Sequence, residues 1–129
     1  MATEILMNDG GAPARILPFV ASETITAGNV VTMDTNGQLT NADTDHGSGY
    51  KEYVIGVALT TQTSGNVCSI ITGRGVICKI NTTAGGAGKA LKVSSTDGQL
   101  EDNTTLGHTV AIRLETTGDA GLARCLTAY

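Results

Sequence analysis

Residues 54–80 constrain the fold more than any other stretch, because they contain runs rich in β-branched residues that are separated by short turn-forming segments. The stretch reads VIGVALTTQTSGNVCSIITGRGVICKI. It predicts three strands, over 54–60, 67–72 and 76–80, separated by the polar residues 61–66 and by a Gly-Arg-Gly loop. A chain built around such a stretch is expected to be a β-protein.

The loop at 73–75 favours a hairpin between the second and third of these strands. In that hairpin Ile70 lies opposite Cys78 and Cys68 lies opposite Ile80, so that all four side chains face one side. A glycine of the loop supplies the positive φ that such connections need. The sequence therefore predicts a hairpin with one buried face and no catalytic group.

The composition fits a fold of short strands. The 129 residues include 17 Gly but only two Pro, one Phe, three Tyr and no Trp. The core must therefore be built from Val, Ile, Leu and Ala, and the glycines suit many tight turns. With about eight to ten strand segments and no helical period, the predicted fold class is all-β.

Two halves of the chain follow the same order of turns and strands. Ala27-Gly28 and Ala87-Gly88 each precede a strand, and Asn36-Gly37 and Asp97-Gly98 each follow it. We therefore predict one β domain over residues 21–129, with pseudo-repeats at about 25–80 and 86–129. The Asn-Gly pair also predicts a hairpin with a type I′ turn, in which both central residues have positive φ.

Residues 1–20 differ from this pattern. Pro13 and Pro18 cannot donate to a strand ladder, so the segment is expected to be an extended N-terminal arm or an edge strand. A frayed terminus is the simpler alternative. Apolar residues favour an arm that orders on a partner, and the candidate contact residues are Ile5, Leu6, Met7, Arg15, Ile16, Leu17 and Phe19.

The charge distribution argues against two classes of partner. The formal net charge is −4, and the eight Lys and Arg residues are scattered singly. Nucleic acids and anionic membranes both select clustered basic residues, so neither is expected as a partner. The N-terminus lacks the features of a secretory signal, and no apolar run approaches the ~20 residues of a membrane span.

Residues with chemical potential form no recognisable active site. Cys68, Cys78 and Cys125 match no zinc or redox spacing, and we expect buried reduced thiols, with a Cys68–Cys78 disulfide as the alternative. Residues 84–90 (AGGAGKA) depart from the phosphate-binding loop at both ends of its pattern. His46 lies in a polar loop without the ligand spacing of a metal site. No catalytic residue, cofactor or metal ion is expected.

The doubled pattern resembles the small phage head-decoration proteins, also called capsid cement proteins. The resemblance rests on ITAGNVVTMDTNGQLTNAD, the stretch 54–80, AGKALKVSSTDGQLEDN and VAIRLETTGDAGLARC. It implies a β-barrel or β-tulip-like domain on the outer surface of the viral head, in the virion. It also implies the major capsid protein as partner, an N-terminal arm that grips it, and a homo-oligomer, with a trimer favoured.

A cement protein without enzymatic activity is the leading functional hypothesis. The alternative is a small β-barrel module of a virion tail or surface that binds a carbohydrate or a receptor. The scarcity of aromatic residues counts against sugar binding, which usually uses aromatic faces. An enzyme is the least favoured class, because no converging polar groups are recognisable in the sequence.

Overall fold

The computed structural model describes residues 5–6, 14–44, 53–104 and 108–129. Within them the chain forms ten strands: β1 (Arg15–Val20), β2 (Val30–Met33), β3 (Leu39–Asn41), β4 (Gly56–Ala58), β5 (Val67–Thr72), β6 (Ile77–Thr82), β7 (Ala90–Val93), β8 (Leu100–Asp102), β9 (Ala111–Arg113) and β10 (Gly121–Thr127). These residues contain no helix, and hence none that could cross a membrane. The predicted all-β fold is confirmed.

The ten strands form two five-stranded units. Strands β1–β5 make the N-terminal sheet, in the order β1-β5-β4-β2-β3, and β6–β10 close into the C-terminal barrel, in the order β10-β6-β8-β7-β9. In the barrel, Thr82 of β6 pairs in parallel with Leu100 of β8. In the N-terminal sheet, Ala21 makes a parallel bridge with Leu39 of β3. The same type of contact therefore links the first and third strands of each unit.

The two units follow one hydrogen-bonding plan. Their strand pairs match position by position: Met33↔Leu39 with Val93↔Leu100, Val57↔Ile71 with Ile112↔Leu126, and Val20↔Val67 with Asn81↔Leu122. Residues that occupy the same place in this plan are called repeat-equivalent below. Strand β1 is thus equivalent to β6. The structural repeat covers residues 15–72 and 77–127, so β6 opens the second unit, whereas the sequence repeat had placed it in the first.

The predicted hairpin between β5 and β6 does not form. Strand β5 pairs with β1 and β4, and β6 pairs with β10 and β8. Both edges of β5 are thus paired with strands of its own unit. The loop with Gly73 and Gly75, which have φ of 134° and 78°, instead carries the chain from one unit to the next. The predicted alternation was right, because Cys68, Ile70, Cys78 and Ile80 are all buried, but each pair belongs to a different unit.

The predicted hairpin at Asn36-Gly37 forms with a different turn. Strands β2 and β3 pair as expected, but only Gly37, with φ of 73°, has a positive φ. The N–H of Gly37 donates to the carbonyl of Asp34 at 3.2 Å. Residues 35–37 therefore form a three-residue loop in which a type I turn is followed by a left-handed glycine. The Asp34 carboxylate accepts from the N–H groups of Asn36 and Gln38, which stabilises this loop.

Each unit buries the inward side of its strands. In the N-terminal sheet the inner cluster comprises Ala21, Ile25, Val31, Leu39, Ala58, Cys68 and Ile70. A larger cluster contains the barrel interior, including Leu91 and Leu100, together with Val30, Val57 and Ile71 from the N-terminal sheet. The second cluster therefore joins the two units, and they are held together by apolar burial as well as by backbone hydrogen bonds.

Gly56 lies where the N-terminal sheet leaves no room for a side chain. A Cβ at Gly56 of β4 would lie 2.7 Å from the carbonyl oxygen of Ile71. We predict that Gly56→Ala lowers the free energy of unfolding by about 1–3 kcal/mol, because a buried strand must shift to admit the methyl group. Urea denaturation measures the change. Gly86→Ala is the matched control, since a Cβ there meets nothing within 4 Å, and an equal loss in both variants would contradict the prediction.

Candidate interaction surface

The outer edge of β6 is covered by other segments of the chain. The N–H of Lys79 donates to the carbonyl of Ile5 at 2.8 Å, and the N–H of Asn81 donates to the carbonyl of Gly28, also at 2.8 Å. Leu6 forms a bridge with Cys78 next to the first of these bonds. The edge of β6 therefore receives a short N-terminal segment and a turn of the N-terminal sheet as partners.

In the part of the chain that the structure describes, no segment covers the equivalent edge, on β1, in this way. Pro18 is repeat-equivalent to Lys79 and has no N–H to donate, so the bond that holds Ile5 on β6 has no counterpart on β1. Val20 is repeat-equivalent to Asn81, and its N–H points away from β5, but no backbone acceptor for it lies among the described residues. The proline removes the central donor of this edge, and the N–H of Val20 remains at its end.

Apolar side chains gather around this edge. Six large apolar side chains are exposed in the described part of the chain, and four of them lie on β1 and β5: Ile16 (44%), Leu17 (40%), Val20 (38%) and Val67 (56%). Val20 and Val67 are directly opposite each other in the β1–β5 pairing, so they lie on the same face. We call these two residues the Val20–Val67 patch. Exposed apolar residues grouped in this manner indicate a contact surface.

The structure separates the residues that the sequence grouped as a contact arm. Ile5 is buried in the core and Leu6 is half-buried against it. Of the two sequence alternatives, arm or edge strand, residues 15–20 take the second, because they form β1. There Arg15, Ile16 and Leu17 are exposed, whereas Phe19 packs on the core of the N-terminal sheet. Met7 lies outside the described residues.

Sequence reasoning missed both members of the Val20–Val67 patch. Val67 was assigned to a strand, where an apolar residue needs no further explanation. Its exposure results from strand pairing, since β5 pairs with β1 and not with β6. The signal in the sequence was Pro18, two residues before Val20, which marks an edge strand.

The C-terminal barrel contains a fully buried arginine. Arg113 of β9 has no exposed side-chain surface, and its Nη1 donates to Oδ1 of Asp102 at 2.7 Å. Its Nη2 donates to the carbonyl of Thr83 at 2.8 Å. Its Nε has no hydrogen-bond partner among the described residues. A buried guanidinium held by one carboxylate and by carbonyl groups fixes the surrounding loops in place.

The repeat explains how the barrel makes room for this side chain. Arg113 is repeat-equivalent to Ala58, and Gly85, which faces Arg113, is repeat-equivalent to Ile25. A Cβ at Gly85 would lie 2.8 Å from Cζ of Arg113. The N-terminal sheet thus combines a large apolar residue, Ile25, with the small Ala58. The barrel combines a glycine, Gly85, with Arg113. We infer that the two pairs fill equivalent space.

The three cysteines are buried thiols without disulfide bonds. Cys68 and Cys78 lie in different clusters, so the alternative of a bond between them is not supported, and Cys78 is instead opposite Cys125 in the β6–β10 pairing. Burial raises the pKa of both Cys78 and Cys125 to about 12. Burial also raises the pKa of Cys68. Neutral thiols are poor nucleophiles, so these residues act as small apolar core residues.

No metal-binding group was found among the described residues: nowhere do three His, Cys, Asp or Glu side chains come together. His108 is exposed and lines a shallow depression with Thr44, Lys92 and Val93. His46 lies outside the described residues. The glycine-rich residues 84–90 lead into β7 rather than into a helix, so they lack the helix N-terminus that phosphate-binding loops use.

Comparison with solved structures shows a likeness in fold. No protein-family model matches the chain, and no curated protein matches it. Among solved structures, the N-terminal base of the head fibre protein gp8.5 of bacteriophage phi29 is similar, with a TM-score of 0.60 and 13% sequence identity. The match covers 90% of this chain and 95% of the other. At this identity, the likeness establishes that the two chains share a fold over nearly their whole length.

Substitution of Arg113 tests whether the Gly85/Arg113 pair fills the same space as the Ile25/Ala58 pair. We predict that Arg113→Ala lowers the free energy of unfolding by about 2–4 kcal/mol, because it leaves a cavity and frees the acceptors of Thr83 and Asp102. Adding Gly85→Ile, which recreates the pair found in the N-terminal sheet, should restore more than half of the loss. Thermal and urea unfolding measure both variants. A double variant less stable than Arg113→Ala would show that the two pairs do not fill equivalent space.

The buried thiols predict a loss of stability in alkaline solution. The pKa values of Cys78 and Cys125 rise from 9.0 to about 12 in the folded chain. Above pH 9 the unfolded chain therefore loses thiol protons that the folded chain retains, and stability falls as the pH rises towards 12. Urea unfolding at several pH values in reducing buffer measures this slope. The Cys78→Ala/Cys125→Ala variant should show a shallower slope, and an unchanged slope would contradict the assignment.

Proposed function

We propose that this chain is a non-enzymatic structural protein of a phage head, which binds the outer surface of the expanded capsid and stabilises the shell. The observation that carries the proposal is the fold shared with the base of a phage head fibre, over 90% of this chain and 95% of that one. The major capsid protein is the proposed partner. The acidic, weakly charged composition supports an outer location, because a protein facing packaged DNA would be expected to be basic.

Such a role needs no active site. A protein that binds the assembled lattice and not the free subunits stabilises the lattice by mass action. Many identical contacts across a shell add to one another through avidity, so each contact can be modest. The exposed apolar residue Leu17 on β1 supplies a contact of this modest kind.

A second candidate is suggested by the description of the similar structure. The phi29 protein is the base of a head fibre, so this chain could equally anchor a fibre to the head without stabilising the shell. Both candidates require binding to the capsid. They differ in whether the occupied capsid resists heat or chaotropic agents better than the bare one.

Binding to phage heads tests the proposal directly. Purified protein is mixed with expanded heads that lack it and with unexpanded procapsids, and the pellets are analysed after sedimentation. We expect saturable binding to expanded heads only, and a higher temperature of DNA release from the occupied heads. Binding without added shell stability would favour the fibre base. Folded protein that binds neither particle would overturn both candidates.

The exposed part of β1 can be tested in the same assay. Leu17→Glu places a charge at an exposed apolar position, so we expect weaker binding to heads with little change in thermal stability. Tyr53→Glu is the control, because Tyr53 is 69% exposed and lies outside the strands. Equal binding by the two variants would remove Leu17 from the proposed capsid contact.

A further inference from the structure

The two units of the chain meet where one turn packs on a defined surface. This surface is formed by Asn81 and Leu122, and we call it and its equivalent in the other unit the seat. The carbonyl of Gly28 accepts from the N–H of Asn81 at 2.8 Å, and a Cβ at Gly28 would collide with the side chain of Leu122. Beside it, the side chain of Asn29 packs against Gly98 in the β7–β8 turn. The turn before β2 therefore docks on the paired ends of β6 and β10.

The repeat places an equivalent turn before β7 of the barrel. Gly88 is repeat-equivalent to Gly28, since both precede a strand and donate N–H bonds to equivalent carbonyls, of Arg113 at 2.7 Å and of Ala58 at 2.8 Å. Gly88 and Lys89 are exposed, and a Cβ at Gly88 meets nothing within 4 Å. This turn is presented outward without a seat in the described chain.

The repeat also places an equivalent seat on β1 and β5. Val20 and Val67 are repeat-equivalent to Asn81 and Leu122, and they form the exposed Val20–Val67 patch. The N–H of Val20 points outward, as does the N–H of Asn81 that holds Gly28. Within the described residues, one chain therefore carries a turn without a seat and a seat without a turn.

We propose that the Gly88 turn of one copy seats on the Val20–Val67 patch of a second copy, repeating between chains the joint found within the chain. In this contact the N–H of Val20 donates to the carbonyl of Gly88, and Val67 packs against the glycine. Lys89 takes the place of Asn29 and lies over the loop at residues 35–37. The carboxylate of Asp34, which caps that loop, supplies an opposite charge close by.

The outer faces of the two units support this arrangement. Val30, Val57 and Ile71 form a row across the N-terminal sheet and are fully buried in the cluster that joins the units. The equivalent row in the barrel consists of Ala90, Ile112 and Leu126, which are only half-buried. This row flanks the Gly88 turn through β7, so a second copy would cover apolar surface that the single chain leaves partly open.

The contact is head-to-tail, because it joins two different surfaces of the chain. Repetition of such a contact gives a closed ring if the rotation between copies allows it, and a filament otherwise. The contact does not depend on capsid binding. It can therefore be tested in solution without heads, and its failure would leave the proposed function standing.

Three variants of the full chain test the contact. Val20→Lys/Val67→Lys blocks the seat with two charges. Gly88→Asn/Lys89→Glu blocks the turn, since asparagine tolerates the positive φ of Gly88 but adds a side chain towards the seat, and the glutamate faces Asp34. Leu17→Lys is the matched control, an equally exposed apolar residue on the opposite face of β1. Circular dichroism verifies that each variant is folded.

Sedimentation velocity over a range of concentrations gives the result. We expect the wild type and Leu17→Lys to self-associate alike, and each blocked variant to associate at least about tenfold more weakly. A mixture of the two blocked variants should form a one-to-one dimer and nothing larger, because only one intact turn and one intact seat remain. A monomeric wild type, self-association of either blocked variant at wild-type strength, or a mixture that stays monomeric would each overturn the proposal.

Discussion

The outer edge of the first strand in each five-stranded unit governs how this molecule is put together. A strand edge presents backbone donors and acceptors that must be paired or protected. On β6 they are paired, by Ile5 and by the Gly28 turn. On β1 the equivalent position is Pro18, which removes a donor. One unit thus pairs the edge of its first strand, and the other unit protects that edge with a proline. Because of this difference, the N-terminal segment pairs with β6 and not with β1.

Strand content and the repeat could be predicted from the sequence, because both depend on local patterns. Strand-forming residues bounded by glycine-containing turns mark β2, β3, β5 and β10 without reference to the rest of the chain. Strand partners could not be predicted in the same way. The loop at 73–75 has the length of a hairpin, but β5 already has neighbours within its own unit, and that competition involves residues far apart in sequence.

The candidate surface was predictable only in part for the same reason. Ile16 and Leu17 stand out because apolar residues between two prolines are unusual, and both proved exposed. Val67 lies in a run of strand-forming residues, and only its pairing with Val20 at the sheet end shows that it faces solvent. Arg113 is the opposite case, since its charge suggests exposure and the matching glycine at position 85 permits its burial.

The exchange of Ile25 and Ala58 for Gly85 and Arg113 has a consequence for folding. A chain with two identical units risks mispairing, in which a strand of one unit inserts into the other. Here β9 would carry a guanidinium into a space filled by Ile25, and the position equivalent to Asp102 holds the neutral Asn41. The desolvation cost of that charge disfavours the swapped topology. The buried arginine therefore favours the correct pairing of β9 within its own unit and keeps the two halves of the duplicated chain distinct while they fold.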